Sequence, residues 1–362
     1  MGLITTAANE YYRRPEDERF PSPEALLTFL AERKAASREI TYNAKDLRIA
    51  PAEDGRRIVL ESPRGQAALT PWSHSQLCRM VGAPAGYVRT LPADIAAKAL
   101  NHGITQTTVG TTAQILAQRT PEGVTARAIT SESYGRLWCA DLYKPILDTL
   151  GAHGWGLPPT WDGKPAGAYA SDRDSFLVLV NGGSIVNDPS VRNGNGQMYR
   201  GVILRNSEVG AGTVLIDQIL YEYVCGNHNF WGAVVSRSFR RRHVGTRVLI
   251  DTLREVGNLA RTWVHRAASA DEAIIRSLID LEIASTKEAV IDELCAMGAT
   301  KADAEAAYAT CEQNFDASPR SFWGLAQGFT KASQASGWQD DRLSMDMFAG
   351  KLLAKGRQLV AA

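Results

Sequence analysis

The stretch "MYRGVILRNSEVGAGTVLIDQILYEYVCGN", residues 198 to 227, decides how the middle of the chain is read. An apolar run, Gly201 to Leu204, passes through Arg205-Asn206-Ser207-Glu208 into a glycine-containing corner and out into a second apolar run from Val214. Both runs read as strands separated by turn residues, although the periodicity of the second also allows a helix. Arg200 and Arg205 are five positions apart, so on a regular strand they point to opposite faces and only one can line a given groove. Asn206 and Ser207 are turn formers, and Gly210 and Gly212 supply conformations that other residues resist. The four residues are expected to shape a polar corner that positions a neighbouring arginine. Glu208 would either clamp an arginine of the RRRH segment (240–243) or act as a general base, and Arg205 would extend a basic surface.

Working outward, "GAYASDRDSFLVLVNGG" (167–183) supplies a further strand, and "TAQILAQRTPEGVTARAIT" (112–130) two more around Pro121-Glu122-Gly123. A helix over roughly Cys139 to Leu150 interrupts them. Nearer the start, "SPEALLTFLAERKAASRE" (22–39) has Ser22 and Pro23 as cap and first-turn residues, with Leu26, Leu27 and Leu30 on one face. Asp54-Gly55 between short apolar runs marks a hairpin. Residues 70 to 103 read as three helical pieces, with Thr70 or Ser73 as a cap and breaks at Gly82, Pro84 and Pro92. After the basic segment at 236–247, nearly everything reads as helix. The expected class is α+β, with a central, mainly antiparallel sheet, helices packed on it and a helical C-terminal third. The expected units are an N-terminal helix and hairpin (1–65), an α+β core (66–266) and a helical region (267–362).

At 362 residues and 44% hydrophobic, the chain can bury a large core. Forty basic residues balance thirty-nine acidic ones, so affinity for a polyanion must come from local clustering. The apolar runs are too short to span a membrane and the N-terminal residues lack a signal-peptide core, so no membrane partner and a cytoplasmic location are expected. Five widely spaced cysteines argue against a disulfide framework.

The most specific chemical signal is "SRSFRRRHVGTR", residues 236 to 247. Arg237, Arg240, Arg241, Arg242 and Arg247 place five guanidinium groups within eleven residues, with His243 and Phe239 among them. Guanidinium forks bind phosphate oxygens bidentately and release counterions, while an aromatic beside them can stack on an unpaired base. The competing reading is a solvated helix start whose arginines pair with nearby acids. For chemistry, Glu208, Asp172, Asp174 and His243 are the candidate metal or acid/base groups of a nuclease or hydrolase. Cys225, His228 and His243 match no common zinc spacing, so neither metal nor cofactor is expected. "QLCRMVGAPAGYVRTL" (76–91) approximates helix-turn-helix spacing, a third possibility.

Several of these elements together resemble the phage/plasmid-like protein family catalogued as domain of unknown function 932. The resemblance rests on Asn206, Ser207 and Gly210; on Cys225 and Asn227; on Arg242, His243 and Gly245; on "SESYGRL" (131–137); and on Trp323-Gly324. It spans roughly residues 70 to 345. What it implies is a setting in phage and plasmid DNA processing. Joined to the basic segment, it gives the leading expectation of an oligomeric DNA-binding protein with single-stranded DNA as partner, acting in recombination by binding or annealing rather than by catalysis.

Overall fold

The computed structural model describes residues 15–106, 112–158, 167–188, 190, 197–222, 237–245, 247–265, 268–333 and 339–361. Its class is α+β, as the patterning requires, but the strands divide into two six-stranded sheets rather than one.

The first helix, α1 (Pro23–Ala35), begins where Ser22 accepts a hydrogen bond from the Ala25 amide and Pro23 occupies the first turn. It stops at Ala35, short of the expected end, because the serine-arginine-glutamate run after it enters β1 (Ser37–Asn43). The hairpin at Asp54-Gly55 joins β2 (Arg48–Pro51) to β3 (Ile58–Ser62), with Gly55 at φ 65°. A strand that the sequence does not announce, β4 (Gly65–Leu69), follows; "GQAAL" has none of the β-branched or aromatic residues that mark strands. Then come three helical pieces, α2 (Pro71–Met80), α3 (Ala85–Val88) and α4 (Ala93–Gln106). Thr70 caps α2, its side chain accepting from the Ser73 amide.

With β5 (Thr112–Thr120) and β6 (Gly123–Thr130), the first sheet runs β1-β5-β6-β4-β3-β2. It is antiparallel except where β4 meets β6. Residues 37–62, expected in an N-terminal unit, therefore share a sheet with residues 112–130. Leu77, Leu100 and Ile104 of α2 and α4 pack on Ile49, Leu60 and Ile115 to form its core.

The second sheet is antiparallel throughout. After α5 (Cys139–Gly151) it takes in β7 (Trp155–Gly156), β8 (Ala168–Ala170), β9 (Ser175–Asn187), β10 (Gln197–Asn206), β11 (Val214–Glu222) and β12 (Arg237–Arg241). The order is β12-β11-β10-β9-β7, with β8 also paired to β9. The helix-or-strand ambiguity over 214–222 resolves as strand. β11 lies between β10 and β12, and Val214 to Ile219 are buried without alternation, so both faces are covered and the two-residue period is lost. One face carries α1, α5 and α6 (Val248–His265), which enclose Leu30, Tyr143, Ile146, Val256 and Trp263.

The C-terminal third is helical: α7 (Ala268–Asp280), α8 (Lys287–Ala296), α9 (Lys301–Asn314), α10 (Phe322–Ser333) and α11 (Gln339–Ala361). They pack around Leu294, Phe322, Phe329 and Leu352 and take in Val186 and Met198 from the second sheet. Buried polar ties fasten this unit. Arg200 of β10 is buried against Asp271 of α7 at 2.7 Å, and Asp188 accepts from the Trp323 indole (2.9 Å) and the Gln327 amide (2.8 Å). No helix among the described residues is long and apolar enough to cross a membrane.

Candidate nucleic-acid interface

Within the basic segment Arg237–Arg241 form a strand, and only its far end, at Arg247, meets the start of a helix. β12 pairs with β11 so that Phe239 stands opposite Ile216 and Arg241 opposite Val214. Side-chain alternation then separates the segment into two faces. Phe239 turns inward, is 9% exposed and belongs to the core beneath α6. It is therefore not free to stack on a base, which corrects the expectation drawn from its place among the arginines. Arg240 takes the opposite face and is exposed.

The remaining arginines sort by partner. Arg241 is half-buried, pairs with Glu255 of α6 at 2.8 Å and lies over the Phe239 ring at 5.5 Å. Arg240, Arg242 and Arg247 are exposed, and none of their side chains makes a hydrogen bond or ion pair among the described residues. The side chain of Arg237 lies outside the described residues, as do Cys225, Asn227 and His228.

His243 turns away from this surface. It is 5% exposed, its ring stacks on Tyr134 (centroids 5.1 Å apart, 14° between planes), and its Nδ1 lies 3.3 Å from the Gly135 carbonyl. Burial brings the imidazole down to about 4, and the neighbouring Arg136 acts in the same direction. The segment is held there by paired backbone, with the Gly135 amide donating to the His243 carbonyl and the Gly245 amide to Ser133. Among the described residues no carboxylate bonds the ring, so His243 has no acid/base partner there.

The corner at 206–210 is a separate, buried construction. Asn206 donates to the Leu137 carbonyl (2.7 Å) and the Cys139 sulfur (3.2 Å), and Ser175 donates to the same sulfur (2.9 Å). Ser207 donates to the Arg173 carbonyl (2.6 Å) and accepts from the Ala211 amide, while Tyr134 Oη donates to the Ser207 carbonyl. Gly210 closes the turn at φ 80°, with Tyr134 and Gln76 close by. At the centre, the Glu208 carboxylate lies 3.1 Å from Arg127 Nη1 and 3.4 Å from Arg33 Nη2 and accepts the Cys139 amide at 3.0 Å. Arg136 donates to the Glu208 carbonyl and pairs with Glu39.

Burial alone would push the Glu208 carboxyl up. The guanidiniums of Arg33 and Arg127 and the Cys139 amide outweigh it and hold the group below the usual carboxylate range. Burial and Arg33 bring Arg127 down to about 10, still a cation at neutral pH. The corner does position arginines, but they come from α1 and β6 and not from the basic segment. Arg33 and Arg127 carry no local signal, because what selects them is a carboxylate up to 175 positions away in sequence, Glu208, and Arg136 is selected by the Glu208 carbonyl and by Glu39.

The candidate catalytic groups do not converge. Asp174 binds Arg205 at 2.8 Å and accepts from Ser171, Asp172 is exposed, Glu208 sits in its arginine clamp, and His243 is elsewhere. Among the described residues no three histidine, cysteine or carboxylate side chains gather closely enough to hold a metal ion. Arg205, expected in the basic surface, is half-buried and engaged by Asp174. In the helix-turn-helix reading, α3 would be the recognition helix. It has four residues, a single turn, and Val88 on it is buried.

No family model matches the chain, and neither the curated proteins nor the solved structures include a match to it.

Proposed function

We propose that the protein binds nucleic acid through phosphate contacts at the β12–α6 junction, as a DNA-binding protein of phage or plasmid DNA processing. The observation that carries this reading is the exposed, unpaired set Arg240, Arg242 and Arg247 in a chain whose net charge is only +1. Three like charges within eight residues of one another along the chain repel, and no side-chain partner among the described residues offsets any of them. A polyanion relieves that repulsion, and bidentate guanidinium–phosphate pairs add directional hydrogen bonds.

The burial of Phe239 moves the weight of the interaction from base stacking to the backbone, which favours binding indifferent to sequence. The resemblance to the phage/plasmid-like family points the same way through the genomic setting of its members. Binding or annealing of strands requires phosphate neutralisation and no catalytic group, which accords with Glu208 being committed to Arg33 and Arg127.

The test is fluorescence anisotropy with a labelled oligonucleotide, comparing the wild-type protein with Arg240→Ala/Arg242→Ala/Arg247→Ala. Because the three side chains support nothing inside the fold, the variant should keep its circular dichroism and melting temperature. It should bind at least about tenfold more weakly at low salt, at under one kcal/mol per lost contact. Equal affinity in the two proteins would overturn the proposal.

A further inference from the structure

We infer that the polyanion track does not end at the sheet edge but continues along the solvent face of α6, where Arg247, Arg254 and Arg261 form a straight cationic ridge that holds the phosphodiester backbone of the same nucleic acid. This inference rests on the phosphate-binding reading above and extends it to a second element.

The three arginines are spaced by seven residues, close to two helical turns, so they stand almost in line. At 1.5 Å rise per residue the steps are about 10 Å and the ridge about 21 Å long. All three are exposed, whereas Thr252, Val256, Leu259, Ala260 and Trp263 bury the opposite face. The Arg254 side chain, like that of Arg247, has no hydrogen-bond or ion-pair partner among the described residues. Arg261 gives one fork nitrogen to Asn258 at 2.7 Å and keeps the other available.

The acids on this side are Glu255, already paired with Arg241, and Asp251, which is half-buried. Arg247 sits where helix formation alone would not put it, since its carbonyl accepts the Asp251 amide at the helix start and the macrodipole there disfavours a cation. Between Arg247 and Arg254 lies Ile250, 58% exposed, which can take apolar contact with a sugar but reads no base edge. The exposed ring on this face, His265 four residues past Arg261, packs edge-on against His153 with centroids 6.4 Å apart. The ridge therefore selects for charge spacing and length, and a duplex segment of about six base pairs, at 3.4 Å per step, spans it.

The test uses the full chain, a ladder of duplex oligonucleotides from about 6 to about 24 base pairs, and the variant Arg254→Ala/Arg261→Ala, in which alanine preserves helix propensity. Wild-type affinity should rise with length until the β12 edge and the ridge are both filled. The variant should match wild type on the shortest duplexes, fall about tenfold behind on the longest, and lose between one and two from its log–log salt slope. Wild-type binding with an unaffected variant overturns the ridge and leaves the edge site standing. Absence of binding by the wild-type protein overturns the underlying reading instead. Binding to phosphatidylserine vesicles, weakened by the variant and without any nucleic-acid affinity, would reassign the ridge to a membrane surface and likewise overturn the inference.

Discussion

The Glu208 carboxylate lies 3.1 Å from the Arg127 guanidinium, and both side chains are buried. Arg33 approaches the same oxygen at 3.4 Å, so one acid holds two cations in the interior. Such an arrangement is far more sensitive to losing one partner than to replacing the whole set, because the residual charge has no water to face. Glu208→Gln should destabilise the protein by about 3–5 kcal/mol in urea denaturation. An unchanged midpoint would show that the corner is not the fastening point described here. With the folded carboxyl below its usual range, the stabilisation is present above the unfolded carboxylate value of about 4.3 and lost as pH falls through the folded value.

His243 gives a second pH signature at higher pH. The fold keeps the imidazole neutral down to about 4, whereas an unfolded histidine takes its proton near 6.5. The unfolded state therefore binds more protons between these values, and stability falls as pH drops from about 6.5 to about 4, by up to roughly 3 kcal/mol. His243→Phe preserves the stack on Tyr134 and removes the titration, so its stability should be flatter across this window. Proton NMR should show the His243 ring resonances still neutral at pH 5, and a ring titrating near 6.5 would contradict the buried placement.

Phe239 and its neighbour Arg240 should behave oppositely when truncated. Phe239→Ala removes a core side chain and should cost about 3–5 kcal/mol of stability. Arg240→Ala should leave stability within about 0.5 kcal/mol and act on binding alone. If Phe239→Ala folded as stably as wild type and instead lost affinity for unpaired bases, the strand would present the other face to solvent.

How much of this was legible in the sequence depended on the range of the interaction. Ser22, Thr70, Gly55 and Gly123 act within a few residues of themselves, and the caps and turns they mark stand where local chemistry puts them. β4 escaped notice because its residues are small, and β11 read ambiguously because both its faces are buried. The corner at 206–210 was visible as polar and turn-forming, but its partners Arg33 and Arg127 were not, since sequence carries no distance between them and Glu208. In the basic segment the two-residue alternation of a strand over Arg237–Arg241 turns Phe239 away from Arg240, a pattern that the run of like charges masks in the sequence. The seven-residue spacing of Arg247, Arg254 and Arg261 is written in the sequence, but only a helix across all three puts them in line.

The central claim is that the exposed guanidiniums at the β12–α6 junction hold phosphates, and the salt dependence of binding addresses it most directly. Anisotropy of a labelled oligonucleotide, titrated with wild-type protein across a series of salt concentrations, should give a log–log slope of roughly −2 or steeper, as expected when three or more phosphates shed their counterions. A slope near zero, or no binding even at the lowest salt, would contradict the account.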